Sequence, residues 1–185
     1  NKPIGFTRKF DGALDPKTGY ARKDAIAIND FSKETYGGLL STLSKNGNTD
    51  NTRAINEVIL VCNPLDYFTK IMPASTVLTP QGAYVNNIFP FPTKVIQSVG
   101  VPKDHAVIGL ADRYFMGMGT AKNGKLEYSD EYKFLEDLRT YKIKLFGMGK
   151  PLDINAFLYL DISNVQDVLP KFEVKTAAEK TTSKG

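Results

Sequence analysis

Tryptophan is absent from this chain of 185 residues, and cysteine and histidine occur once each, as Cys62 and His105. A single cysteine excludes an intrachain disulfide, which fits a reducing compartment. One cysteine and one histidine cannot build a zinc site of Cys and His ligands within one chain. Long apolar runs are missing too. None exceeds Val58–Cys62 in length, whereas a membrane helix needs roughly 20 apolar residues. The opening Asn1-Lys2-Pro3 begins no apolar stretch, so no signal peptide is expected.

Charge of one sign is equally scarce. Lysine and arginine number 24 against 20 acidic residues, a net charge of +4. The tail 171–185 holds Lys171, Lys175, Lys180 and Lys184 against Glu173 and Glu179, and so carries half of that excess. The body lacks the clustered basic face of a sequence-reading nucleic-acid protein. Its lysines, interleaved with acids, read as solvated surface.

A catalytic set is missing as well. Any Ser-His-Asp or Cys-His arrangement would have to use His105, which sits in the polar turn Val101-Pro102-Lys103-Asp104-His105. That context predicts a surface-loop histidine, and Cys62, ending an apolar run, predicts a packed thiol. Lys17-Thr18-Gly19 matches one motif of the serine β-lactamases, but no serine has a lysine three positions on. Gly117-x-Gly119 and Gly147-x-Gly149 lack the third glycine of a dinucleotide loop and read as turns. Asp130-Glu131 and Glu136-Asp137 alternate with Lys133 and Arg139, a pattern of surface ion pairs. No catalytic, cofactor-binding or metal-binding residue is assigned, and the chain reads as a non-enzyme.

What is present is apolar mass, at 42% hydrophobic residues, enough for a buried core without metal or disulfide. Eleven Phe and nine Tyr suit extended sheets and broad contact surfaces. Residues 1–30 read as irregular, with turn chemistry at Asp11-Gly12, Asp15-Pro16 and Thr18-Gly19. Asp30 or Ser32 caps a helix ending near Lys45, with Phe31, Leu39, Leu40 and Leu43 on one face and Gly37-Gly38 weakening it. Val58–Cys62 predicts a strand buried on both faces. Asn63 and Pro64 open a short helix whose apolar face is Leu65, Phe68 and Met72, with Pro73 stopping it.

Five prolines between 73 and 105 predict extended, poorly hydrogen-bonded backbone around Tyr84-Val85 and Val95-Ile96. Ala106–Leu110 reads as a buried strand. Tyr114–Met116 and Leu126–Tyr128 flank Asn123-Gly124, which predicts a β-hairpin. Residues 130–146 fit either a helical stripe (Phe134, Leu135, Leu138, Tyr141) or strand alternation (Tyr141, Ile143, Leu145). Gly147–Pro151 breaks that element, Ala156–Ile162 reads as a final strand, and the Lys, Thr and Ala of 170–185 as a low-complexity tail.

From the Val58–Phe68 block onward the chain resembles a known family, the major capsid proteins of tailed phages with the Hong Kong 97-like fold. The resemblance continues in order through Gly82-Ala83-Tyr84-Val85, Val107–Phe115, Tyr128–Phe134, Asp137–Lys142 and Asn155–Leu160, and covers roughly residues 30–162. It implies an α+β fold with axial and peripheral subdomains, and with the family's N-terminal arm and extended loop absent. Residues 1–57 would be the N-terminal segment and spine-helix part of the peripheral domain, 58–127 the axial domain, and 128–150 a long peripheral strand. Residues 151–170 would close the axial domain, leaving 171–185 as the tail.

The implied function is a structural shell protein that self-assembles into the pentamers and hexamers of an icosahedral head around double-stranded DNA. Its implied partners are its own copies, a scaffold, a maturation protease and nonspecifically bound DNA, with no membrane and no small-molecule substrate. Its implied place is the virion, and the host bacterial cytoplasm during assembly. Three alternatives stay open: an encapsulin-like compartment shell, a phage-encoded cell-wall hydrolase or binding module, and a small-molecule-binding α/β domain.

Overall fold

A computed structural model of the chain describes residues 3–16, 19–47, 49, 51–118, 125–129, 140–144 and 147–168. In chain order, β1 (Leu14–Asp15), β2 (Gly19–Tyr20) and β3 (Ile26–Ala27) precede α1 (Lys33–Ser44) and β4 (Val58–Cys62). One irregular helix comes next, made of α2 (Pro64–Asp66), a π turn (Tyr67–Ile71) and α3 (Met72–Ala74). Then come β5 (Val77–Leu78), β6 (Tyr84–Val85), β7 (Thr93–Gln97), β8 (His105–Gly109) and β9 (Tyr114–Met118). The last strands are β10 (Lys125–Ser129), β11 (Thr140–Lys144), β12 (Gly147–Pro151) and β13 (Phe157–Asp161).

The fold is mixed α/β, built on a five-stranded mixed sheet in the order β3-β13-β8-β4-β7. β8 runs antiparallel to both β13 and β4, while β3 joins β13 and β7 joins β4 in parallel. Alternation along the strands sends neighbouring side chains to opposite faces. Leu158, Ile108, Leu60 and Val95 therefore line up across one face, and Tyr159, Val107, Val61 and Ile96 across the other.

The first face packs against Tyr36, Leu39 and Leu43 of α1 and against Tyr67 and Ile71 of the irregular helix. The second is covered by Phe6 and Tyr114, with the Phe6 ring stacked 5.0 Å from Phe157. Because both faces are covered, β4 and β13 read as continuous apolar runs in the sequence. Lys23 fixes the N-terminal segment by donating to the Phe157 carbonyl at 2.7 Å.

α1 begins where its cap predicts. Ser32 Oγ accepts from Thr35 N, and Asp30 Oδ1 accepts from Thr35 Oγ1 at 2.6 Å and Ser32 Oγ at 2.8 Å. At its other end Arg53 Nε donates to the Leu43 carbonyl at 2.8 Å, so a guanidinium closes the negative end of the helix. α1 shares one core with β4, β8 and β13.

Asn63 caps the second helix through Leu65 N, and Pro64 takes its first turn. The apolar face is not the expected one. Leu65 and Phe68 are exposed, while Asp66, Tyr67, Lys70 and Ile71 are buried. A π turn accommodates one extra residue, which rotates the remainder of the helix by roughly 100° and moves the seam off the 3.6-residue stripe.

Four further expectations are corrected. Val95-Ile96 lies in the fully registered strand β7, because Pro90 and Pro92 precede it and leave its amides free to pair. Tyr114–Met118 does not pair with 125–129: β9 pairs with β12, and β10 with β11, forming nested antiparallel pairs. Gly147–Pro151 and Gly117 are strand residues, not breaks or turns. Gly149 is there because a Cβ would lie 2.6 Å from Tyr114 Oη.

Of the long strand expected over 128–150, residues 130–139 and 145–146 lie outside the described residues. The described parts are strand segments of β10, β11 and β12. The Asn123-Gly124 turn and the tail from 169 onward also lie outside them.

Candidate functional site

His105 opens β8; it is not on a loop. Its ring stacks on Tyr159 with centroids 4.9 Å apart and planes 11° apart, and Nδ1 donates to the Lys103 carbonyl at 2.9 Å. Among the described residues no serine or cysteine hydrogen-bonds it. Cys62 is fully buried, and burial followed by the Asp66 charge pushes its thiol up to about 12. A thiol so placed stays protonated and unreactive. Lys17-Thr18 and the carboxylates 130, 131, 136 and 137 lie outside the described residues.

An open groove of about 460 Å³ lies beside the start of β4 and β7. Arg53, Lys94 and Arg113 line it together with Glu57 and Asp112. No hydroxyl, thiol or imidazole is among its lining side chains. Arg53 is engaged elsewhere, paired with the buried Asp153. With no hydroxyl, thiol or imidazole in its lining, the groove offers no nucleophile–base pair. Among the described residues there is no group of three or more His, Cys, Asp or Glu able to hold a metal, and no helix long and apolar enough to cross a membrane.

Two ion pairs that reach into the core carry no signal in the sequence. Lys70 Nζ, nearly fully buried, donates to Asp104 Oδ1 at 2.7 Å and to the Ile162 carbonyl at 3.1 Å. Asp66, with no exposed surface, accepts from Asp104 N at 2.7 Å through Oδ2, while its Oδ1 has no partner. Burial raises the Asp66 carboxyl above the ordinary range, and the neighbouring Lys70 and Lys103 offset this only in part. These contacts tie the irregular helix to the turn before β8 and to the segment after β13. The second pair, Arg53 with Asp153, joins the end of α1 to the turn before β13. Both are fastenings.

The uncovered apolar surface is of another kind. In the β5–β6 hairpin Val77, Leu78, Tyr84 and Val85 are all exposed, as is Ile88 just beyond it. On the β9–β12 pair Phe115, Met116 and Met148 are exposed, with Phe115 and Met148 flanking Gly117 on one face. β7 ends the sheet with one edge unpaired among the described strands and Ile96 exposed on it.

No protein-family model matches the sequence, and no curated protein matches it. Among solved structures, the chain is similar to that in the crystal structure of a virus-like particle from Pyrococcus furiosus. The TM-score is 0.41 and the identity 14%, over 75% of this chain and 55% of that one. The chain thus spans little more than half the length of that neighbour.

Single scattered apolar residues on a surface need no partner, but contiguous ones do. Here seven of the exposed apolar residues group on two strand pairs, Val77, Leu78, Tyr84 and Val85 on one and Phe115, Met116 and Met148 on the other. The sequence holds a signal for the first group: from Ile71 to Thr93 there is no charged residue. The second group has no such signal, because local turn chemistry points to a different strand pairing.

Proposed function

We propose that this chain is a shell-building subunit whose copies tile a closed container. In its finer form the proposal is the major capsid protein of a tailed phage or prophage, assembled as pentamers and hexamers around double-stranded DNA. The observation that carries it is the two exposed apolar strand pairs on a domain whose central strands β4, β8 and β13 are already covered on both faces. Surface that the fold does not use for itself is available to neighbours. The ordered motifs across residues 30–162 support the finer reading.

The work of such a protein is geometric. Each subunit presents edges that repeat around five- and six-fold rings until the shell closes. Individual contacts are weak, and several neighbours holding each subunit multiply them. No bond-making step is proposed for any residue. A scaffold, a maturation protease and nonspecific contact of lysines with DNA complete the proposed partners, and the virion is the proposed location. An encapsulin-like shell would use the same edges, and the enclosed cargo, protein instead of DNA, tells the two apart.

Electron microscopy of the chain co-expressed with its scaffold and protease tests this. Closed particles of uniform diameter are expected. Monomers or irregular aggregates under every such condition overturn it.

A further inference from the structure

Charged residues make up 24% of the chain, yet none occurs between Lys70 and Lys94. This neutral stretch contains the β5–β6 hairpin. Val77 faces Val85 in its register, and Leu78 faces Tyr84. Successive residues point to opposite sides, so each face of the hairpin carries one apolar cross-strand pair. All four side chains are exposed, Tyr84 by 74%. Two-stranded hairpins are marginal in water unless something packs on them.

The hairpin is nonetheless held in shape. Gly82 adopts φ +82°, which the turn after Pro80 requires, and its amide donates to the Thr79 carbonyl at 2.9 Å. Thr79 closes the loop with Ala83 twice, backbone to backbone at 2.8 Å and through its hydroxyl at 3.1 Å. At the base, Ile88 N donates to the Ser75 carbonyl at 2.8 Å, and Tyr67 Oη donates to Asn87 Oδ1 at 3.0 Å. A rigid apolar element loses little freedom on docking.

We infer that the β5–β6 hairpin is a self-association element, covered by the same hairpin of a second copy of this chain. Charge narrows the choice of occupant, and the assembly reading supplies the second copy. A surface without charge is complementary to itself, because no like charges meet when two copies approach. Interface cores show the same depletion of charged residues. A nucleic acid or an anionic membrane would call for lysine or arginine beside the apolar groups, and this stretch has neither. The inference rests on the assembly reading and names the surface through which copies meet.

Sedimentation of Leu78→Lys and Leu78→Glu chains, alone and mixed, tests the contact. Each alone is expected to associate at least about tenfold more weakly than the unaltered chain, as for a central interface residue. The mixture, with opposite charges facing each other, is expected to regain association. As a second measurement, Tyr84→Cys is expected to give dimers with a short bis-maleimide, since Cys62 is buried. Val99→Cys, 89% exposed on a different turn, is expected to give none.

Association that persists unchanged in both Leu78 variants, with no Tyr84→Cys dimer, overturns this contact and leaves the assembly reading standing. Wild-type binding to phosphatidylcholine vesicles that Leu78→Lys abolishes, without cross-linked copies, likewise overturns it. A chain that stays monomeric at every concentration, with or without scaffold, overturns the assembly reading and this contact together.

Discussion

Lys70 and Asp104 meet at 2.7 Å across the boundary of the core, the lysine 4% exposed and the aspartate 37%. The unequal burial makes the two partners unequal in energy. Lys70 also donates to the Ile162 carbonyl at 3.1 Å, so losing it strands a buried acceptor as well as a carboxylate. Asp104 sits at φ +62°, a conformation that asparagine tolerates as well as aspartate.

Lys70→Met is therefore expected to lower the unfolding free energy by about 1 kcal/mol, because the carboxylate it leaves behind is partly exposed and only the Ile162 carbonyl loses a buried donor. Asp104→Asn is expected to cost about 3 kcal/mol, because it leaves the buried Lys70 ammonium without its countercharge. Urea denaturation of both variants checks the order. Equal losses would mean that the unequal burial of the two charges does not matter.

Asp66 gives a pH dependence with an unusual sign. Burial holds its carboxyl above the ordinary value of 3.8, so between that value and the raised one the folded chain binds a proton that the unfolded chain has released. Its contribution is present at low pH and is lost as pH rises through the raised value. Asp66→Asn removes this dependence and keeps an oxygen for the Asp104 amide. Unfolding free energies measured across the acid range and into the neutral range are expected to fall less steeply with rising pH in the variant. A parallel pair of curves would count against a buried proton at Asp66.

How much of this is legible in the sequence depends on the distance over which each feature is determined. The segment from Val58 to Pro64 is readable because an apolar run, a capping asparagine and a first-turn proline act within a few residues. The helix after it departs from its apparent stripe at Leu65 and Phe68, since the π turn answers to Asp66 and Lys70. The partner of those two, Asp104, lies 38 and 34 residues away. The pairing of β9 with β12 is hidden for the same reason, with Asn123-Gly124 offering a plausible local turn in its place. Arg53 and Asp153 are separated by 100 residues, and no spacing rule connects them. The neutral stretch around the β5–β6 hairpin is legible in composition, but its exposure is not.

Gly109 shows how closely the sheet is packed around its centre. A Cβ there would collide with the Phe157 ring and stand 2.8 Å from the Ala156 carbonyl oxygen, and a backbone atom cannot swing aside. Gly109→Ala is expected to destabilise the chain by roughly 3 kcal/mol, at the upper end of overpacking costs. Gly37→Ala is the contrast. Its Cβ would meet nothing within 4 Å on an exposed face of α1, so it is expected to stabilise by about 1 kcal/mol through helix propensity. Thermal melts of the two variants should move in opposite directions.

Cys62 provides a probe of the folded state. Its side chain has no exposed surface, and its thiol is pushed up to about 12, so neither access nor ionisation favours attack. An aromatic disulfide reagent at neutral pH is expected to leave Cys62 unmodified in buffer and to react with one thiol per chain in denaturant. The rate in buffer then reports the opening of the β4–β7 side of the sheet, and Leu60→Ala, which empties the core beside it, is expected to accelerate labelling. Prompt labelling of the unaltered chain would contradict the position of the strand.

Asp153 opposes Asp66 in sign. Burial alone would push its carboxyl up, but the Arg53 hydrogen bond and charge outweigh that, helped by backbone amides including that of Asn155, and hold it below 3.8. The stability it contributes is complete above the ordinary value and drains away as pH falls through the lowered one. Asp153 also caps the short turn before β13, accepting from Asn155 N at 2.9 Å, while Arg53 closes the end of α1. Asp153→Asn keeps the cap and removes the charge, and Arg53→Gln keeps a donor and removes the countercharge. If the pair acts as a unit, the double variant loses less than the two single losses added together. The acid-side slope of stability disappears where Asp153 is replaced and weakens or reverses in Arg53→Gln, where burial is left to push the carboxyl up. Strict additivity across the cycle would show that the cap and the helix end are stabilised independently, with the ion pair contributing nothing of its own.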